Sequence, residues 1–340
     1  MSVTPGEDVS HPVTAPIAIT PANNTKTGVV RRLFPISPTQ REAAAQWLSI
    51  PDRTPRAARR ASSVVLVKDS REGVQTWLGY RGPESPLGHV AFPGGSVEEN
   101  DDAAYVWHGP SVAQWAKKLG VDDHRLAKMW VTCAIRELFE ETGVLLAGPD
   151  SLSTAEIRRG ELMDARQAVA TQDASFAEIL ARRGWGLRTD LLRPLSRWVT
   201  PGFMHRRFDT WFFAAVVPAG QSPSLLEGKG VWGSWVVAKD LIAQRATSTL
   251  GDQVADAIDL GVGNASGETD TRGLPLSQIT TPAVEAILEK IAATKGSVAY
   301  LSCARALKEY APELVNIGGE YLLDISTANA PEGGAITRSL

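Results

Sequence analysis

Three carboxylate side chains lie close together in the middle of the chain, in the run Arg-Glu-Leu-Phe-Glu-Glu-Thr-Gly-Val at 136–144. At about 100° per residue, a helix places Glu137, Glu140 and Glu141 within an arc of roughly 100°. Like charges at this spacing repel, so the cluster is costly unless a cation binds it. Carboxylate oxygens suit hard divalent cations such as Mg²⁺ and Mn²⁺. The pattern therefore indicates a metal-binding face, although a solvated helix face would have the same composition.

The helix that carries these carboxylates must pack against a core. Its opposite side is apolar and carries Val131, Ile135, Leu138 and Phe139. This is the amphipathic pattern of a helix packed on one side. Gly143 follows the last helical residues, where a left-handed cap favours glycine. Arg136 lies beside the acidic face, and we expect it to hold one carboxylate in place.

The run resembles the second half of the Nudix box, G-x5-E-x7-R-E-U-x-E-E-x-G-U, in which U is a bulky aliphatic residue. Every fixed position from Arg136 to Val144 is met, and a Phe-Pro-Gly-Gly turn (92–95) lies upstream. The first half departs from the pattern, because Asp101 stands where the box has Glu. In addition, 34 residues rather than seven separate Asp101 from Arg136, which is an insertion of 27 residues.

The resemblance implies a metal-dependent hydrolase that cleaves a diphosphate linking a nucleotide to another group. By the pattern of the family, Glu140 and Glu141 are ligands of Mg²⁺ or Mn²⁺. Glu137 is a ligand or assists as a base, and Arg136 orients the carboxylates. Such a site would act by positioning and by stabilising charge on the phosphoryl oxygens.

Other positions of the box carry supporting roles by the same resemblance. Gly94 and Gly95 would let the backbone approach the metal or the phosphate closely. Gly143 would end the helix. Asp101 would act as an outer ligand or as a salt-bridge partner in place of the first Glu.

The interrupted box resembles one branch of the family, the animal peroxisomal coenzyme A diphosphatase and its bacterial relatives. The segments 78–81 and 87–95 are similar to the coenzyme A signature of Nudix enzymes, and 207–213 resembles the same branch. This implies hydrolysis of coenzyme A or acyl-coenzyme A to 3′,5′-ADP and (acyl-)4′-phosphopantetheine. Coenzyme A carries a 3′-phosphate, which suits a guanidinium partner, and Arg81 and Arg207 are the candidates.

A general base is expected from a loop outside the box. Glu227 is the candidate, because it lies in a glycine-flanked loop before the strand that begins near Val231. Glu98 and Glu99 are its rivals, since they are near the site in sequence.

Two alternatives to a coenzyme A diphosphatase stay open at the level of sequence. The first is a diphosphatase for another nucleoside diphosphate derivative, such as ADP-ribose or NADH. The second is a Nudix fold that binds a ligand or regulates without catalysis. The intact glutamates argue against the second alternative, whereas Asp101 and the insertion leave it open.

Composition narrows the class of protein. The chain has 340 residues, 43% hydrophobic and 21% charged, which is enough for one large core or two smaller ones. A net charge of −3 gives no support for a nucleic-acid surface. Two cysteines make no disulfide framework, and Cys133 is interpreted as a small core residue. No apolar run reaches the roughly 20 residues of a membrane span, so a cytoplasmic protein is expected. The family resemblance implies a small-molecule nucleotide substrate.

The predicted organisation has three parts. Residues 1–35 are predicted to be a disordered tail, 36–245 the hydrolase domain, and 246–340 a loop and helices that pack on this domain or form a homodimer interface. The insertion at about 102–131 is predicted to contain short helices. Within the domain, strands are predicted at 63–68, 75–81, 144–146, 196–199, 208–217 and 234–237. Helices are predicted at 39–48, in two pieces over 154–183, and at 282–293 and 298–310, with a loop at 251–272. The fold class is α/β (α+β), an α/β/α sandwich with a mixed sheet.

Overall fold

The computed structural model describes residues 23–24, 29–82, 88–157, 162–226, 231–259 and 271–328. Within these ranges the strands are β1 (Asn23–Asn24), β2 (Val29–Pro35), β3 (Arg59–Asp69), β4 (Val74–Tyr80), β5 (Val90–Ala91), β6 (Gly94–Ser96), β7 (Trp107–His108), β8 (Ala147–Gly148), β9 (Gly186–Arg188), β10 (Arg193–Val199), β11 (Phe208–Val216), β12 (Gly233–Val237), β13 (Glu309–Tyr310), β14 (Glu313–Ile317) and β15 (Glu320–Ala328).

The helices are α1 (Arg41–Ser49), α2 (Val112–Leu119), α3 (His124–Thr142), α4 (Met163–Ala170), α5 (Phe176–Arg182), α6 (Ala238–Ala243), α7 (Thr249–Asp259), α8 (Leu276–Ile279), α9 (Pro282–Ala292) and α10 (Ser297–Ser302). Short 3₁₀ turns lie at Pro38–Gln40, Glu99–Asp102 and Thr189–Leu191. No helix in these ranges combines the length and the apolar composition needed to cross a membrane.

A mixed sheet forms the centre of the fold. Its strand order is β12-β4-β3-β11-β10-β13, and β5 and β6 pair with β4 and β3. The β3–β11 and β10–β13 pairs are parallel, whereas the β3–β4, β4–β12 and β10–β11 pairs are antiparallel. Helices cover both faces, which confirms the predicted α/β sandwich.

The strands are apolar on both faces because both faces are covered. In β11, Trp211 and Phe213 pack in the cluster that contains α3, while Phe212 and Ala214 pack in the cluster that contains α9. The side chains of a strand alternate between faces, so one strand supports two cores. The apolar face of α3 is buried as predicted, and Ile135, like its apolar neighbours on this face, is inaccessible to solvent.

Several predicted elements differ from the structure because their partners are distant in sequence. Part of the predicted tail is strand β2, which pairs with β15 at the other end of the chain. The predicted loop at 251–272 begins inside α7, whose Leu250, Val254 and Ile258 are buried at a helical spacing. Residues 1–22, 25–28 and 260–270 lie outside the described ranges.

The last predicted helix is shorter than expected. α10 ends at Ser302, and Glu309–Tyr310 instead forms β13 beside β10. The ring of Tyr310 stacks on Trp198 with centroids 4.4 Å apart. This aromatic contact stabilises the strand conformation of a segment that was predicted to be helical. The strand predicted at 144–146 is displaced to β8, and the first helix predicted within 154–183 starts only at Met163.

Candidate active site

Helix α3 holds the three glutamates on a fixed frame. The Asp123 side chain accepts a hydrogen bond from the Leu126 N–H and caps the amino end. Gly143, with φ 74°, forms the left-handed cap at the carboxyl end. Between the caps, the helix is anchored by the buried face that the sequence predicts.

Arg136 is the centre of a buried charge network. Its Nε and Nη2 atoms donate to the two carboxylate oxygens of Asp101 over 2.8 and 3.0 Å. Its Nη1 atom donates to Glu137 over 2.9 Å and to Glu140 over 2.7 Å. Asp101 is wholly buried, and burial raises its pKa against the opposing hydrogen bonds from Arg136. One guanidinium therefore holds three carboxylates, two of them on α3.

Glu141 has a different arginine partner. The Nη2 atom of Arg81 donates to Glu141 Oε2 over 2.7 Å and to the Gly94 carbonyl over 2.5 Å. The Gly94 N–H also donates to the same carboxylate oxygen, over 3.1 Å. Arg81, at the end of β4, thus lies among the glutamates of the box helix.

Two glycines permit the close approach of β6 to β3 and α3. A Cβ atom on Gly95 would lie 2.4 Å from Glu137 Oε1, and one on Gly94 would lie 2.3 Å from the Ser62 carbonyl oxygen. Both distances are too short for a real contact. The two glycines of the Phe-Pro-Gly-Gly turn are therefore needed for the backbone to pass beside the carboxylate.

The carboxylates share an environment that disfavours charge. Burial raises the pKa of Glu137 to about 8, and the neighbouring Glu140 carboxylate adds to this while Arg136 opposes it. Burial also raises the pKa of Glu141, against the opposing effect of Arg81. The local excess of negative charge is what a bound cation would relieve.

The glutamates open into a cavity of about 180 Å³. Its charged wall consists of Arg81, Glu137, Glu140 and Glu141, and its other walls include Trp77, Tyr80, Leu225, Leu226 and Trp232. Leu226 immediately precedes Glu227, which itself lies outside the described residues. The rivals of Glu227 are engaged elsewhere, since Glu98 accepts from Gln172 and Glu99 pairs with Arg125.

The donor set fits a hard divalent cation, although the side chains are turned towards arginines. Among the described residues, no three carboxylate, histidine or cysteine side chains converge as a ready metal site. Glu137 and Glu140 point to Arg136, and Glu141 points to Arg81. The three carboxylates nevertheless supply only oxygen ligands, as Mg²⁺ and Mn²⁺ prefer, and Glu137 has a pKa raised by burial. Binding a cation would require these carboxylates to release their arginine contacts.

Arg207 lies away from this cavity. Its guanidinium donates to the carbonyl oxygens of Thr200 and Arg56, so its hydrogen bonds hold loop backbone. Asp209, two residues further along the chain, forms a two-pronged pair with Arg197 over 2.7 Å and does not bind Arg207. The aromatic side chains of Phe92 and Trp211 are buried in the core.

Sequence reasoning missed Arg166 on α4. Its side chain is buried, and it donates to the Glu140 carbonyl over 2.7 Å and to the Ser224 carbonyl over 3.0 Å. Burial lowers the pKa of Arg166 to about 10. The contact joins the end of the box helix to the segment that leads to Leu225 and Leu226. No spacing in the sequence could reveal it, because its partners are mainly backbone oxygens.

Comparisons with known proteins agree with this geometry. A family model described as the NUDT19 Nudix domain matches residues 126–231. The fold is similar to that of a Nudix hydrolase from Alicyclobacillus acidocaldarius, with a TM-score of 0.51, 21% identity, and coverage of 74% of this chain and 97% of that chain. The Nudix domain of Shewanella oneidensis NrtR, solved with ADP ribose, matches at 13% identity with a TM-score of 0.30, covering 58% of this chain and 86% of that chain. No curated protein matches the chain.

The region matched by the family model contains part of the site, whereas Arg81, Gly94, Gly95 and Asp101 precede it. It spans nearly all of α3 with its three glutamates, Arg166 on α4, and the cavity wall at Leu225 and Leu226. The similarity of fold to the Alicyclobacillus protein extends beyond this region, since it covers 74% of this chain. Residues 126–231 thus match a Nudix domain model, and the fold of the chain is similar to that of a Nudix hydrolase.

Proposed function

We propose that the protein is a Mg²⁺- or Mn²⁺-dependent diphosphatase that hydrolyses coenzyme A or acyl-coenzyme A. The products would be 3′,5′-ADP and (acyl-)4′-phosphopantetheine. One observation carries the proposal, namely that three glutamates of the box helix and Arg81 line a single cavity. Carboxylates for a cation and a guanidinium for a phosphate are the two groups that diphosphate hydrolysis needs.

The roles of the residues follow from their positions. Glu137, Glu140 and Glu141 would hold the cation. A bound Mg²⁺ or Mn²⁺ would polarise the phosphoryl oxygens, neutralise the leaving group and lower the pKa of an attacking water. Arg81, once released from Glu141, would bind the diphosphate oxygens through its planar fork.

Other residues would position the glutamates rather than contact the cation or the substrate. Asp101 fixes Arg136, which orients Glu137 and Glu140. Glu227 is proposed as the base, because the preceding residues Leu225 and Leu226 line the cavity.

The choice of coenzyme A rests on the sequence. The insertion of 27 residues within the box and the segments 78–81 and 87–95 resemble the coenzyme A branch. In the structure the two segments contact each other, since the Arg81 guanidinium donates to the Phe92 carbonyl over 3.2 Å. This contact supports reading the two segments as one recognition unit.

A substrate panel tests the proposal. Purified protein with Mg²⁺ or Mn²⁺ is incubated with coenzyme A, acetyl-coenzyme A, ADP-ribose and NADH, and the products are separated by chromatography. We expect 3′,5′-ADP from the first two substrates and no turnover by Glu141→Gln. A preference for ADP-ribose or NADH would overturn the coenzyme A assignment, and inactivity towards all four would overturn the enzymatic one.

A further inference from the structure

A second cavity, of about 160 Å³, lies on the opposite face of the central sheet from α3. Thr210 and Phe212 of β11 contribute to its floor, and these residues alternate with Trp211 and Phe213, which pack beneath α3. Its other walls come from the loop at 200–204, from α8 and the start of α9, and from the segment before α1. It is therefore separate from the cavity that holds the glutamates.

The lining of this second cavity consists mainly of hydroxyl, amide and apolar side chains, together with His89. Among the described residues that line it, none is Asp, Glu, Lys or Arg. Hydroxyl and amide side chains such as Gln40, Thr200 and Gln278 alternate with the apolar surfaces of Phe203 and Phe212. A charged group would lose hydration here without finding a charged partner. The lining suits a neutral chain that carries hydrogen-bonding groups beside apolar ones.

The two cavities border the same pair of strands. Arg81 lines the glutamate cavity, and His89 lines the second one. The Arg81 N–H donates to the His89 carbonyl over 2.8 Å, which continues the β4–β5 ladder. Residues that face each other across such a ladder are about 5 Å apart. Because the cavities lie on opposite faces of the sheet, a ligand with a charged centre and a neutral arm would reach from one to the other around the end of this strand pair, beside Arg81 and His89.

We propose that the second cavity binds the uncharged arm of the diphosphate substrate, a chain of amide and hydroxyl groups. This inference rests on the proposed function, which places the diphosphate at the glutamates. Of the two halves of coenzyme A, the adenosine half carries a 3′-phosphate, for which the described lining offers no lysine or arginine. The pantetheine half carries two amides, a hydroxyl group and methyl groups, and it matches the lining.

Two variants that fill the second cavity with a larger side chain test whether it binds pantetheine. Ser277→Trp and Thr200→Trp place an indole at two half-buried positions of the lining. Ser302→Trp, at an exposed position at the end of α10, is the matched control. Thermal unfolding checks that each variant is folded. Binding of pantetheine and of adenosine is measured by titration calorimetry, and hydrolysis of coenzyme A by steady-state kinetics.

We expect pantetheine to bind the wild type and Ser302→Trp, and to bind at least one filled variant roughly tenfold more weakly. The KM for coenzyme A should rise by a similar factor in that variant while kcat is retained. Equal pantetheine affinity in all folded variants, or adenosine as the ligand that is lost, would overturn the inference. Pantetheine that binds without affecting the KM would mean that the cavity takes a separate molecule, which also overturns it.

The result is distinguishable from failure of the proposed function. If the wild type hydrolyses no coenzyme A but still loses pantetheine on filling, the diphosphatase assignment fails and the cavity keeps its ligand class. If coenzyme A is hydrolysed and filling changes nothing, the diphosphatase assignment holds and the inference about the second cavity fails.

Discussion

Arg81 and Glu141 form an ion pair of 2.7 Å inside the cavity that the box helix faces. The guanidinium assigned to the substrate thus contacts a carboxylate assigned to the cation. A single Arg81 cannot neutralise Glu141 and bind a phosphate through the same donors. In the proposed mechanism the cation and the arginine compete for Glu141, and cation binding releases Arg81 towards the substrate.

Removal of this competitor is expected to strengthen cation binding. In Arg81→Gln, Glu141 loses its charged partner, so the affinity for Mn²⁺ should rise by up to about tenfold, the scale of one charge-assisted hydrogen bond. The kcat/KM for coenzyme A should fall in the same variant. Titration calorimetry with Mn²⁺ measures the first effect, and Arg81→Lys, which keeps the charge, is the control. Weaker Mn²⁺ binding in Arg81→Gln would contradict the competition.

The burial of Glu137 predicts a pH dependence of stability in metal-free protein. Its pKa rises from 4.5 to about 8 on folding, so the native state binds more protons than the unfolded state between these values. The free energy of unfolding should therefore fall as pH rises through this window, by up to about 1.4 kcal/mol per pH unit. Urea unfolding in EDTA from pH 5.5 to 8.5 measures the slope. Glu137→Gln should reduce the slope, part of which remains because burial also raises the pKa of Glu141. An unchanged slope in that variant would contradict the role of Glu137.

Asp101 and Asp102 are adjacent acids, but their substitution is expected to lower the free energy of unfolding by very different amounts. Asp101→Asn leaves the buried Arg136 without its two-pronged partner, so we expect a loss of roughly 3 kcal/mol in the free energy of unfolding. Asp102 pairs with Arg125 at the surface, and Asp102→Asn should cost less than about 1 kcal/mol. Chemical denaturation of the two variants compares them directly. Similar costs would mean that the Arg136 network contributes little.

Arg166 offers a comparison of a buried arginine with an exposed one. Arg166→Met removes the donors to the Glu140 and Ser224 carbonyls, and leaving buried acceptors unpaired costs about 1–3 kcal/mol. Arg182→Met, on the next helix, removes an exposed arginine and should cost under about 0.5 kcal/mol. We also expect kcat for coenzyme A to fall in Arg166→Met but not in Arg182→Met. Equal unfolding midpoints for the two variants would contradict a stabilising role of the Arg166 contacts.

Local patterns were enough to predict the helix of the glutamates and most strands of the central sheet. Periodicity predicts α3 because its buried side and its caps are local in sequence, and the strand predictions at 208–217 and 234–237 agree with β11 and β12 to within a residue. Pairings across the chain were not predictable. β2 is a strand because it pairs with β15, and β13 is a strand because it pairs with β10. The sequence of neither short segment indicates which distant strand it will pair with.

The candidate site was likewise predictable only in part. The glutamates and Arg136 could be predicted as site residues because their types and spacing are distinctive. The sequence could not reveal that Arg81 contacts Glu141, that Arg207 is occupied by backbone carbonyls, or that Arg166 supports α3. These contacts depend on where the chain folds back, and an arginine that binds carbonyl oxygens has no characteristic neighbours in the sequence.

The Asp101–Arg136 ion pair joins the residues on either side of the inserted segment. The chain leaves the site at Asp101 and returns to it at Arg136, so the intervening excursion begins and ends at one point in space. The entropy of closing such a loop grows only slowly with its length. Excursions of different length could therefore be exchanged between Asp101 and the start of α3 at His124 without displacing the glutamates, because α3 itself holds them in place. A search for this kind of site that demands a fixed number of residues would overlook such chains, whereas one that looks for the acid–arginine contact would find them.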